Sequence, residues 1–311
     1  MKHNIKITIV LIAMFLLTQV IGLFVINFYQ TTELPYGMQP PADVTPNTSI
    51  ASILFAFALA ITLFFLLTKI KAEKFIRLWF FVVTALAIGL TINVILSKIN
   101  PSLNVFEINS IIGLVIALPF VYIKIFKRNT IVHNITELLI YPGIAAVFVP
   151  ILNVLGIIIL LLVISLYDIW AVWHSEFMKN MANYQINTLK FFTGFFIPYA
   201  GKKVKEKIKF LKQKYTSEKA LERNLKKAKL KINLAILGGG DIVFPVITAG
   251  VFYIYNGLIP ALIIMASATI ALGVLFIMAR KGKFYPAMPF LTIGMYLAFI
   301  LIWILQAFHL I

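Results

Sequence analysis

The chain contains 311 residues, of which 61% are hydrophobic, and its mean hydropathy of +0.96 excludes an ordinary soluble domain. It has no cysteine, so disulfides, thiolate metal sites and cysteine nucleophiles are excluded as well. A net charge of +17 suits either a nucleic-acid partner or the positive-inside rule of membrane proteins, and the positions of the basic residues distinguish the two.

Nine apolar segments are each about 20 residues long, the length that a helix needs to cross about 30 Å of hydrocarbon. They predict an all-α membrane protein with nine transmembrane helices, at residues 5–28, 50–68, 78–97, 106–126, 131–149, 151–174, 232–254, 259–279 and 285–308. The first segment is too long for the apolar part of a signal peptide and lacks a small-residue cleavage site, so it is expected to remain as a span.

The basic residues alternate with these segments. When the N-terminus is placed in the cytosol, 27 of the 28 Lys and Arg residues fall on the inner side, and only Lys98 lies outside. The distribution predicts a cytosolic N-terminus and an external C-terminus. No nucleic-acid motif accompanies the basic residues, so we expect membrane lipids and not nucleic acid as the partner of the positive charge.

The longest inner loop divides the chain into three parts. Residues 1–174 form a predicted six-span bundle, residues 175–231 a basic cytosolic connection, and residues 232–311 a three-span bundle. In the connection, an aromatic stretch at 191–196 precedes a basic region at 202–231, where apolar residues recur at helical spacing. Such a pattern is typical of a helix that lies on an anionic membrane surface.

Two aspartates interrupt spans that are otherwise apolar, Asp168 on the sixth and Asp241 on the seventh. A carboxylate in hydrocarbon costs at least about 2.5 kcal/mol, so each needs a reason. Asp168 lies about 9 Å of helix before His174, and Asp241 about 15 Å of helix after Lys231. Both are therefore expected at similar depths in the cytosolic half of the bilayer.

Two neighbouring carboxylates in a low dielectric share one proton, which provides one base and one acid. The base can take a proton from water as the water attacks a peptide carbonyl, and the acid can donate to the oxyanion and then to the leaving amine. This hydrolysis requires no metal or cofactor. The alternative is a structural role, in which an aspartate pairs with a buried base or caps a helix. All Lys and Arg residues are expected near the membrane boundaries, which leaves no basic partner at that depth.

Glycines and prolines accompany the aspartates. The glycines at 238–240 directly precede Asp241, and they allow local unwinding or a close backbone approach that would admit water and an extended substrate. Ordinary helix packing in membranes also uses glycine. The prolines at 286 and 289 leave backbone carbonyls without helical donors, available to pair with a substrate strand, although a proline-marked helix start is the simpler interpretation.

Three motifs occur in order on spans six, seven and nine: Tyr167-Asp168, Gly238-Gly239-Gly240-Asp241 and Pro286-Ala287-Met288. With the nine-span layout, they resemble the Tyr-Asp, Gly-x-Gly-Asp and Pro-Ala-Leu motifs of the presenilin and signal peptide peptidase family of intramembrane aspartyl proteases. The third motif departs from the family pattern, with methionine in place of leucine. This apolar swap conserves volume and is expected to be tolerated.

The resemblance implies that the two aspartates are the catalytic pair and that four nearby residues position the substrate, namely Tyr167, Pro286, Ala287 and Met288. It implies that the enzyme cleaves within the transmembrane segments of other membrane proteins and needs no obligatory accessory subunit. Because the N-terminus of this chain is expected inside, the substrates are expected to be type I membrane proteins. It looks like a prokaryotic member, expected in the plasma membrane. The sequence leaves open the natural substrate and whether the protein forms homo-oligomers. It also leaves open whether the segment 175–231 is cut by the enzyme itself or blocks the active site.

A transporter or channel that moves protons or cations is the main alternative, because buried carboxylates and glycine-broken helices also form ion paths. Carriers usually have related halves, and no internal repeat is visible in this chain. Glu137, near the inner end of the fifth span, is interpreted as a structural residue rather than a reactive one.

Overall fold

A computed structural model describes residues 5–39, 46–70, 72–99, 106–127, 129–173, 184, 189, 192–199, 204, 233–279 and 285–309. Apart from single positions, the basic region at 202–231 and the part of the connection before residue 192 lie outside these ranges. The surface helix predicted in the basic region therefore stays a prediction.

The described chain contains nine long helices and one short hairpin. The first six helices are α1 (Ile5–Tyr29), α2 (Pro46–Lys69), α3 (Glu73–Ile99), α4 (Phe106–Tyr122), α5 (Thr130–Phe148) and α6 (Val154–Trp173). A π-turn, Ile123–Lys127, extends α4, and a 3-10 turn, Val149–Ile151, follows α5. The strands β1 (Gly194–Tyr199) and β2 (Asn233–Gly238) precede α7 (Gly239–Asn256), α8 (Leu258–Met278) and α9 (Met288–Ala307).

Seven helices in the described part of the chain are long and apolar enough to cross a membrane, and many of their large apolar side chains point outward. These are α1, α3, α4 with its π-turn, α5 with its 3-10 turn, α6, α8 and α9. The helices α2 and α7 lie at predicted spans as well, but they are not among the seven. The nine-span count and the orientation of the termini therefore stay predictions.

Helix α7 lies at the centre of the bundle. It packs against α1, α5, α6, α8 and α9, whereas α2 packs at the periphery against α3 and α6. Small residues permit the closest approaches, because a side chain at Gly22 of α1 would collide with Val246 of α7, and one at Gly143 of α5 would collide with the backbone of Ala87. Membrane helices pack most closely through such residues. The contacts of α7 with five neighbouring helices hold its first turn in position within the bundle.

The hairpin replaces the first turns of the predicted seventh span. We expected helix from residue 232, but residues Asn233–Gly238 form β2, and α7 begins at Gly239. β2 pairs with β1 in antiparallel register, from Gly194 opposite Gly238 to Tyr199 opposite Asn233. A short apolar run bounded by Asn and Gly fits a strand as well as a helix, and pairing with β1 decides for the strand. The expected helical path of about 15 Å from Lys231 to Asp241 is therefore wrong.

Candidate active site

Asp168 lies on α6, and its side chain is directed at the start of α9. The residue is 7% exposed, and Oδ2 accepts a hydrogen bond of 3.0 Å from the backbone amide of Met288, while the amide of Ala287 also faces the carboxylate. The first amides of a helix have no partner within the helix and carry partial positive charge, so a carboxylate is stable there. The capping role considered for the aspartates is thus present at Asp168.

Asp241 lies in the first turn of α7, directly after the hairpin. The backbone amide of Gly238 faces its carboxylate, and Asp168 is near enough to interact with it electrostatically. α6 packs against α7, and the two carboxyl groups, 73 residues apart in the sequence, therefore lie on neighbouring helices within electrostatic range of each other. Within the described residues, no Lys, Arg or His forms an ion pair with either aspartate.

The three glycines before Asp241 have different surroundings. A side chain at Gly239 would lie 2.8 Å from the hydroxyl of Tyr141, and one at Gly238 would lie 3.1 Å from Oδ2 of Asp241. At Gly240 the nearest atom is in Phe244, 3.9 Å away, and this glycine is exposed. Close backbone approach thus accounts for the first two glycines, and Gly240 leaves open space beside Asp241.

The remaining predicted site residues lie next to Asp168. Pro286, Ala287 and Met288 are buried, and they bring the start of α9 to the carboxylate. Pro289 occupies the first turn of α9, as the simpler interpretation of these prolines proposed. Tyr167 precedes Asp168 on α6, is half-buried, and packs its ring 6.3 Å from that of Trp170. The structure therefore brings all the predicted residues to one end of α6, α7 and α9.

The edges of the hairpin differ. On β1, both backbone groups of Phe196 bond to the side chain of Asn134 on α5, at 2.9 Å and 3.2 Å, so Phe196 faces away from β2. By the antiparallel register, its partner Ile236 also faces outward, from the opposite edge. Ile236 and Leu234 are exposed, and among the described residues no hydrogen bond reaches their backbone from outside the hairpin. Within the described part of the chain, β2 thus presents an open strand edge that leads to Asp241.

A buried polar cluster on α4 and α5 holds the opposite edge. Glu137 forms an ion pair with Lys124, and both side chains are almost completely inaccessible. All Lys and Arg residues were expected near the membrane boundaries, and Lys124, which lies in the π-turn, is instead buried inside the protein. Glu137 also accepts from the hydroxyl of Tyr141 and from the amide of Gly194 at 3.0 Å. The structural interpretation of Glu137 agrees with these contacts.

The sequence pointed to the aspartates but not to Lys124, His133, Asn134 or Tyr141. Their polarity within apolar helices was the available signal, since polar groups in a membrane interior need partners. In the described part of the chain, no group of three or more His, Asp or Glu side chains is arranged to hold a metal ion.

The fold and the site define a helical membrane protein with two aspartates near the junction of three helices, α6, α7 and α9. A family profile described as "Signal-peptide peptidase, presenilin aspartyl protease" matches residues 12–307. Because this match spans nearly the whole chain, the chain belongs to the signal-peptide peptidase and presenilin family of aspartyl proteases. It is an integral membrane enzyme and an intramembrane aspartic protease. This membership does not favour the transporter alternative.

Two solved structures are similar to the whole chain. One is described as the structure of a presenilin family intramembrane aspartate protease in space group C222, with 18% identity, a TM-score of 0.60, and coverage of 94% of this chain and 97% of that chain. The other, in space group P2, has 19% identity, a TM-score of 0.58, and coverage of 95% and 96%. No curated protein matches the chain. The fold is therefore shared along nearly the whole chain.

Proposed function

We propose that Asp168 and Asp241 share one proton and hydrolyse peptide bonds within transmembrane segments of other membrane proteins. The observation that carries this proposal is the approach of the two carboxyl groups, with Asp168 fixed by the amide of Met288. Two carboxylates this near cannot both ionise easily, so the pair provides an acid and a base together.

The reaction follows from these two roles. The ionised carboxylate takes a proton from water, and the water oxygen bonds to the carbonyl carbon while the protonated carboxyl donates to the carbonyl oxygen. The carboxyl that took the proton from water then donates it to the nitrogen as the C–N bond breaks. The other carboxylate takes a proton from a hydroxyl of the tetrahedral intermediate as the carboxylic acid product forms. Since the water supplies one OH and one H to the two products, the pair returns to its original protonation state without a cofactor or metal.

The open edge of β2 is the proposed binding site for the substrate backbone. A peptide bond inside a helix is shielded, so a transmembrane substrate must become extended near the aspartates before it is attacked. The outward groups of Leu234 and Ile236 offer hydrogen bonds to such a strand, and β2 ends three residues before Asp241. Tyr167, the space beside Gly240, and the segment Pro286–Met288 complete the proposed substrate contacts.

The predicted topology defines the expected substrates. With nine spans and the N-terminus inside, as the sequence predicts, the proposed site lies in the cytosolic half of the bilayer, which favours type I substrates. We propose that the enzyme works in the plasma membrane of a prokaryote, surrounded by lipid and without an obligatory accessory subunit. The exposed apolar side chains of the helices suit lipid contact.

Cleavage by the purified protein tests this function. The protein in detergent is incubated with a fluorescent single-span peptide of type I sequence, with and without a transition-state analogue of aspartyl proteases. We expect discrete cleavage within the span and its inhibition by the analogue. The same protein in liposomes is assayed for proton and cation flux. Flux without cleavage of any of several peptides across a range of pH would contradict the proposal and support transport.

A further inference from the structure

The inner half of α5 contacts the hairpin through four side chains that the proposed hydrolysis does not use. Nε2 of His133 lies 2.8 Å from the carbonyl oxygen of Gly194, and Asn134 bonds to both backbone groups of Phe196. Glu137 accepts from the amide of Gly194 at 3.0 Å, and Tyr141 packs its ring 6.2 Å from that of Phe195. The backbone of β1 is thus bonded to α5 at alternate residues, as it would be to another strand.

Glu137 links this edge to the residues just before Asp241. Its carboxylate accepts from the hydroxyl of Tyr141, and that same hydroxyl lies 2.8 Å from where a side chain at Gly239 would begin. Glu137 therefore contacts β1 directly and reaches the start of α7 through Tyr141. This indirect contact of Glu137 at Gly239 lies two positions before Asp241, with only Gly240 between them.

The ion pair with Lys124 keeps Glu137 in place. A contribution to the stability of the fold is a weak explanation for the presence of this pair. Both side chains are removed from water, at 0% and 1% exposure, and desolvation of a buried ion pair often cancels its attraction. A buried charged pair is better explained when its geometry is needed. The geometry here is that of a fixed acceptor for the amide of Gly194.

We propose that Glu137 is a positioning residue that fixes the β1–β2 hairpin relative to Asp241, and thereby determines which peptide bond of an extended substrate is cut. The proposal rests on the proposed function, because it assumes that the substrate strand pairs with β2. One residue of strand advances by about 3.3 Å, so a small displacement of the hairpin brings a different carbonyl to the aspartates.

Two double variants isolate the acceptor from the charge. Lys124→Met/Glu137→Gln removes both charges and leaves an amide oxygen that still accepts from Gly194. Lys124→Met/Glu137→Leu removes both charges and the acceptor. Neither leaves an unpaired buried charge, so both are expected to fold. Thr136→Val is the matched control on α5, because its hydroxyl bonds to His133 O, 2.7 Å away, and not to the hairpin.

Product masses and hydrogen exchange are the readouts. The Gln variant and Thr136→Val should give the wild-type product termini. The Leu variant should give termini displaced by one or more residues, with kcat lowered between about 10- and 100-fold. Its backbone amides at 192–199 and 233–238 should also exchange hydrogen faster than the same amides of the Gln variant. A merely structural role would lower the amount of folded enzyme without moving the cleaved bond.

The outcomes separate this inference from the proposed function. If the Leu variant cuts at the wild-type bonds and protects β1 and β2 as the Gln variant does, the positioning role is wrong. If wild-type protein cuts no peptide, the proposed function fails, and exchange alone then decides whether Glu137 holds the hairpin. Equal exchange in the two double variants overturns the inference in that case too.

Discussion

The backbone amide of Met288 donates a hydrogen bond of 3.0 Å to Oδ2 of Asp168, across 120 residues of sequence. This bond joins the first turn of α9 to α6, so the start of the last helix orients one of the two carboxylates. The two motifs on these helices are therefore parts of one site.

The side chain of Met288 is 3% exposed and anchors this turn. Met288→Ala is expected to lower the free energy of unfolding by about 2–4 kcal/mol, because it leaves a cavity beneath the turn that holds Asp168. Met288→Leu conserves volume and should cost less than about 1.5 kcal/mol. Thermal unfolding in detergent and kcat on one peptide check both. If the Ala and Leu variants have equal kcat per folded molecule, the packing of Met288 stabilises the fold but does not orient Asp168 for catalysis.

Gly239 and Gly240 should respond differently to alanine. Gly239→Ala brings a methyl group 2.8 Å from the Tyr141 hydroxyl, and such overpacking costs about 1–3 kcal/mol. Gly240→Ala meets nothing closer than 3.9 Å, so the fold should be unaffected or slightly stabilised. Because this methyl group enters the space beside Asp241, KM for the peptide should rise. Unfolding temperatures and KM of the two variants test the distinction, and an opposite ranking in stability would contradict it.

The open edge of β2 is tested at Ile236. Ile236→Pro removes an outward amide and leaves the pairing with β1 intact, since proline is tolerated at an edge position without a ladder bond. Pro198 already occupies such a position on β1, opposite Leu234. We expect kcat/KM to fall about tenfold or more, because a substrate strand loses a hydrogen bond.

Ile236→Val is the matched control for this proline, because it keeps the amide and the branched side chain. It should cleave at the wild-type rate. If Ile236→Pro folds and also retains wild-type kcat/KM, the substrate backbone does not bind at this edge.

Substitution of Gln19 on α1 should stabilise the folded protein. Its side chain is 1% exposed, Nε2 donates to Thr269 at 3.3 Å, and among the described residues Oε1 has no partner. Gln19→Leu should raise the free energy of unfolding by about 1 kcal/mol, since it removes an unsatisfied buried acceptor. Thr269 still donates to Met265 O. A lower unfolding temperature would show that Oε1 is satisfied in the membrane.

The sequence was sufficient to predict helices at all nine segments and to select the residues of the candidate site. Asp168 and Asp241 were identifiable because charge in an apolar span is costly, and the motifs around them are specific in combination. The meeting of Asp168 with the start of α9 agrees with the selection of Pro286–Met288. The catalytic roles of these residues stay predictions.

The hairpin and the Glu137 cluster were not predictable in the same way. The run Leu234–Leu237 has no polar alternation that would separate strand from helix, and its partner strand lies 39 residues earlier in the chain. The inward direction of Lys124 depends on a π-turn, which hydrophobic periodicity does not reveal. Both features arise from contacts between distant segments and not from local preference.

Cleavage by Asp168→Asn and Asp241→Asn is the most direct test of the central claim. Asparagine keeps the shape and lowers the cost of burial, so both variants should fold, and circular dichroism and gel filtration check this. With the type I peptide, each variant alone should lose at least about a thousandfold in kcat. Near-normal cleavage by either folded variant would contradict the shared-proton pair and require another source of the acid or the base.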